Sequence, residues 1–134
     1  MATWDDVRRI ALALPDVEEL RATGHNGGLG FRVNNKLVAW ERPLRASDRT
    51  ALGDTAPSGE ILGVRTPNLE AKETILAEEP DACFTIPHFN GYPAVLVRLD
   101  AADEPLLTEL ITEAWLVRAP KRVVATWRAE HPNL

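Results

Sequence analysis

Three features predict an α+β fold, a mainly antiparallel sheet packed by helices in a single domain over residues 1–134. Apolar residues at helical spacing open and close the chain, as Val7, Ile10, Ala11 and Leu14 and later as Leu107, Leu110, Ile111 and Ala114. Short alternating segments bounded by turn residues lie between them, and in the clearest of these Val95, Val97 and Leu99 point one way while Ala94, Leu96 and Arg98 point the other. Asn34-Asn35, set between LGFRV and KLVAWE, is a hairpin signal because asparagine tolerates the positive φ that a two-residue turn demands. The two helical stripes are expected to cover one face of the sheet.

The first helix starts at Thr3, with Asp6 three residues later in capping-box position, and Pro15 ends it. Asp5 and Asp6 complement the positive end of the helix dipole, so they read as structural rather than metal-binding. Glu18 to Arg21 starts a strand, and 24–28 is a glycine-rich loop. If Leu29, Phe31 and Val33 face the core, Arg32 faces out, and Trp40 shares a face with Arg42 on the next strand. Ser47 is the expected N-cap of a short helix over residues 48–52, stopped by Gly53. Ile61 to Arg65 reads as a strand. Thr66-Pro67 is expected to open a helix that uses Leu69, Ile75 and Leu76 for contacts and leaves Lys72 and Glu78 in water. A short strand at Cys83, a turn crowded with His88, Asn90, Gly91 and Tyr92, and the Ala94 to Asp100 strand form a second hairpin-like unit. Asp103 caps the next helix, Pro120 interrupts, and Val123, Val124 and Trp127 form the apolar side of a last one.

Composition narrows the function classes. With 134 residues, 45% of them hydrophobic and 26% charged, the chain builds one real core. Cys83, the sole cysteine, forms no intramolecular disulfide, and no cysteine or histidine cluster has metal-ligand spacing, so neither metal nor cofactor is expected. A reducing cytoplasm and a soluble, untargeted chain with no membrane partner are expected, since MATWDDVRR has no apolar leader and no run suffices to span a bilayer. A net charge of -5 confines any attraction to phosphate to a local patch. The glycines at 27, 28 and 30 lack dinucleotide-binding spacing, and there is no P-loop. His88 has no identifiable base, nucleophile or orienting partner, so an enzyme is not expected.

Taken together, LPDVEE, FRVNNKLVAW, LGVRTPN, FTIPHFNGYPAVLVRLD and ELITEAWLVRAPKRV resemble the YjbR/MmcQ-type family of small bacterial proteins over nearly the whole chain. The resemblance implies a compact α+β domain similar to the frataxin-like arrangement, a double-wing shape, DNA as partner, and no catalytic residues. Iron binding does not follow from such a fold, and the first helix lacks a ridge of carboxylates.

The turns near Asn34-Asn35 and Asn90-Gly91 are the candidate wings, with Arg32 and Arg98 beside them. From Arg118 onward, Arg118, Lys121, Arg122 and Arg128 oppose Glu130 alone, the one basic stretch of an acidic chain. The expected function is therefore weak, largely nonspecific nucleic-acid binding. Arg98, Arg118, Lys121 and Arg122 would contact phosphate, while His88 and Tyr92 stack. The alternative is a small-molecule or protein-binding domain with Trp40, Tyr92 and Trp115 lining an aromatic pocket, and the oligomeric state is open.

Overall fold

The computed structural model describes residues 2–21 and 28–132, so residues 24–27 of the glycine-rich loop lie outside it. The described residues form strands β1 (Glu18–Arg21), β2 (Leu29–Val33), β3 (Lys36–Glu41), β4 (Ile61–Arg65), β5 (Cys83–Phe84) and β6 (Ala94–Arg98). Helices are α1 (Trp4–Leu12), α2 (Ala46–Leu52), α3 (Leu69–Glu78), α4 (Glu104–Arg118) and α5 (Lys121–Glu130). The strands make one sheet in the order β1-β2-β3-β4-β6-β5, with every neighbouring pair antiparallel. Among the described residues, no helix is long and apolar enough to cross a membrane.

Local chemistry explains most element ends. Thr3 and Asp6 form the expected capping box at α1, and Val7, Ile10, Ala11 and Leu14 are all buried. Asp103 caps α4 through a bond from Leu106 N, and its stripe of Leu107, Leu110, Ile111 and Ala114 is buried against the sheet beside α1. Asn34 and Asn35 take φ values of 55° and 61°, turning β2 into β3 as predicted.

Two caps differ from expectation. Ser47 does not cap α2, because the helix starts one residue before it. The Asp48 carboxylate instead reaches back to the backbone N–H of Arg45, 2.9 Å away. Thr66-Pro67 precedes α3, whose cap is Asn68, accepting from Ala71 N at 2.8 Å. At α3 a side-chain oxygen nearer the helix start satisfies an orphan N–H, and at α2 a carboxylate in the first turn does so by reaching back.

The sheet is buried on both faces at its centre. Val95 and Val97 join Phe31, Leu62 and Leu107 in the main core, whereas Ala94 and Leu96 pack with Ile61, Phe84, Ile86 and Phe89 in a second cluster. The 86–93 turn and the neighbourhood of α2 cover this second cluster, with Leu44 and Leu52 against it. A shift in register between Phe31 and Arg32 bulges β3 at Val38. Val38 and Ala39 both enter the main core, and Leu37 and Trp40 consequently share the opposite face with Arg42.

Cys83 is 2% exposed opposite Val97. Burial, with the Glu79 charge adding and Arg98 opposing, pushes its thiol up to about 12. Native-state labelling at neutral pH is therefore expected to be slow, and fast stoichiometric labelling would reveal an activated thiolate. A raised thiol favours folding below 9.0, and that contribution is lost as pH climbs from there through about 12. Cys83→Ala should accordingly make stability less sensitive to alkali across that window, as read by urea denaturation.

Candidate functional site

The 87–92 turn is pinned by a buried lysine. Lys72 lies on the same stripe of α3 as Ile75 and Leu76, is 6% exposed rather than solvated, and donates to Phe89 O at 2.6 Å and Tyr92 O at 2.8 Å. Burial lowers its affinity for the proton, while the two carbonyl oxygens oppose that by favouring the ammonium form. Gly91, at φ 75°, completes the turn where an L side chain would be strained. Phe89 is buried against Leu96, and Tyr92 meets it edge-on at 5.5 Å and remains 38% exposed. His88 is exposed on the outer side of the turn, 6.0 Å from the Phe89 ring.

Antiparallel pairing decides which cations reach this turn. Arg65 stands opposite Ala94, so its guanidinium lies 5.7 Å from the centre of the Tyr92 ring. Arg118, at the end of α4, is close enough that the Arg65 charge adds to burial, the larger cause, in holding its guanidinium below the usual range. Lys121 and Arg122 are exposed at the start of α5, directly after Pro120. Among the described residues, no carboxylate forms an ion pair with Arg65, Arg118, Lys121 or Arg122. The Asn34-Asn35 turn falls at this same end of the sheet, because β3 runs antiparallel to β4.

Arg98 does not join them. It pairs with Ile61 at the opposite end of β4 and β6. Its guanidinium covers the Phe84 ring at 4.9 Å and donates to Asp81 O and Thr55 O. Arg32 is turned towards Glu18 at 3.6 Å. Trp115 also stands apart, fully buried in the main core with its indole N–H on Pro15 O at 2.9 Å, so the expected trio of Trp40, Tyr92 and Trp115 is not assembled. Trp40 and Tyr92 do share a cavity of about 510 Å³. Arg42, which also lines it, lies 5.7 Å from the Phe89 ring centre and 3.2 Å from Asp48, near enough for an ion pair though not aligned as a hydrogen bond.

Carboxylates dominate the outer face of α4. Glu104, Glu109 and Glu113 border a groove of about 600 Å³ floored by Leu116 and Trp127. Glu70 and Glu78 extend the acidic surface into the α3–α4 cleft. Arg65 lines that same cleft, and Glu104 is paired with Arg9 at 2.8 Å. Arg65 and the Arg42–Asp48 pair were not singled out from sequence, and Lys72, expected in water, is buried. Lys72 left a signal, since residues 72, 75 and 76 share a helical face.

The YjbR family model matches residues 12–117. The chain belongs to the YjbR family. Uncharacterized proteins of Mycobacterium bovis and Mycobacterium tuberculosis are each 52% identical to this YjbR protein over 132 residues, covering 96% of its chain and 98% of theirs. The crystal structure of a Deinococcus radiodurans protein of the DUF419 domain family superposes with a TM-score of 0.63 over 97% of this chain and 88% of that one. At 23% identity that likeness shows the YjbR fold, an antiparallel sheet with its helices.

Proposed function

We propose that this YjbR protein binds nucleic acid weakly and with little sequence preference, through the end of the sheet where Tyr92 meets Arg65 and Arg118. The supporting observation is the contact of Arg65 with Tyr92, beside cations that form no ion pair with a carboxylate of the described residues. Two guanidinium groups held near each other are mutually unfavourable, and a phosphate between them relieves that repulsion while accepting charge-assisted hydrogen bonds. Lys121 and Arg122 extend the track for the backbone, and exposed Tyr92 and His88 supply ring faces for unstacked bases. The acidic outer face of α4 repels the strand and so orients it. Arg98 has no part in this patch.

The test is a salt titration of affinity for duplex and single-stranded oligonucleotides. Each phosphate contact contributes about 0.9 to the slope of log affinity against log salt on duplex DNA. Replacing Lys121 and Arg122 together by Ala should flatten the slope by about two if both touch phosphate, while Arg98→Ala leaves it unchanged. Absence of binding to either oligonucleotide at low salt would overturn the proposal.

A further inference from the structure

The cavity on the other side of Tyr92 has a composition that the phosphate contacts do not use. It is about 510 Å³, within the range of pockets that hold one small ligand, and its walls are Leu37, Trp40, Phe89 and Tyr92. The bulge at Val38 creates it by putting Leu37 and Trp40 on one face. The Trp40 indole lies against Gly63 so closely that a Cβ there would sit 2.6 Å from Cε2, which fixes one ring face on β4 and leaves the half-buried side chain bordering the cavity. Phe89 lies 6.5 Å from Trp40 and 5.5 Å from Tyr92, so the three rings brace one another.

Three charged side chains border this aromatic lining, and the charge of one, Arg42, is already matched by Asp48 at 3.2 Å, which leaves Arg45 and Glu41. Arg45 is exposed, and no described carboxylate pairs with its guanidinium. Glu41 uses Oε1 to accept from Leu29 N at 3.1 Å, leaving Oε2 as an acceptor without a protein partner among the described residues. Aromatic walls with one strong donor and one strong acceptor suit a planar ring whose own edge carries both, which is the chemistry of a nucleobase.

We propose that this cavity receives one heteroaromatic base, stacked on Trp40 and Tyr92 with its edge between Arg45 and Glu41. The base comes from an unpaired position of a strand lying on the Arg65–Arg118 patch. The source of the base rests on the nucleic-acid proposal, whereas the pocket's chemistry does not, since a free nucleotide presents the same ring.

Tryptophan fluorescence at low salt tests this with three probes: adenosine 5′-monophosphate, a single-stranded oligoadenylate, and the same strand in a duplex. The nucleotide and the single strand should quench emission and the duplex should not, with Trp40→Phe removing most of the quench. Arg45→Ala should weaken single-strand binding about tenfold, the scale of one lost base contact, and leave duplex binding unchanged. Leu37→Glu, at an exposed position, should do the same by placing a carboxylate in the cavity. Nucleotide quenching without binding of either strand keeps the pocket and overturns the strand as its source. Equal binding of both strands with no quench, and no effect of Arg45→Ala or Leu37→Glu, overturns the pocket and leaves the phosphate patch standing. No binding of any probe overturns both.

Discussion

Arg42→Ala is expected to destabilise the protein by about 3–5 kcal/mol, the usual cost of leaving one member of a buried ion pair without its partner. The Arg42 and Asp48 side chains are only 10% and 5% exposed, and Nη2 stands 3.2 Å from Oδ2. Removing the guanidinium leaves the Asp48 charge without a paired cation, held by the Arg45 N–H, and withdraws the cation from the Phe89 ring. Adding Asp48→Asn in that background should restore part of the loss, because an amide is far cheaper to bury than an unpaired carboxylate. Urea denaturation of the single and double variants reads both effects, and a loss below about 1 kcal/mol for Arg42→Ala would mean the pair behaves as a surface one.

Lys72→Met is expected to cost about 2–3 kcal/mol. The ammonium makes two charge-assisted hydrogen bonds, at 2.6 and 2.8 Å, each of a class worth about 1.5–3 kcal/mol. Methionine fills similar volume without a desolvation penalty, which offsets part of that loss. Phe89 O still accepts from Tyr92 N, and Tyr92 O from Ala94 N, so the turn is loosened rather than unfolded. Amide exchange should accelerate at the Phe89 and Tyr92 N–H groups, and single-strand binding should fall more than duplex binding because Tyr92 loses its fixed position. Unchanged exchange there would contradict the role of Lys72 as the anchor of the turn.

These residues also show where the sequence was legible. The capping box at Thr3 and the stripes of α1 and α4 are written locally, in spacings of three and four residues, and they are realised. Lys72 was misread because a charged side chain defaults to water. Its acceptors are backbone carbonyls 17 and 20 residues away, which carry no side-chain code. The alternation of β6 was read correctly, yet it does not say which end of the strand meets which cation. Only the pairing of Arg65 with Ala94 and of Ile61 with Arg98 sends Arg65 to Tyr92 and Arg98 away from it. The bulge at Val38 has no glycine to announce it, so the cavity shared by Leu37 and Trp40 emerges only from the register of β2 and β3.

Amide chemical-shift mapping of the protein titrated with a single-stranded oligonucleotide at low salt tests the central claim most directly. Perturbations confined to Arg65, His88 to Tyr92, Arg118 to Arg122 and the cavity lining from Leu37 to Arg45, sparing Arg98 and the outer face of α4, are the predicted result. Perturbations centred on Glu104, Glu109 and Glu113, or none anywhere, would contradict it.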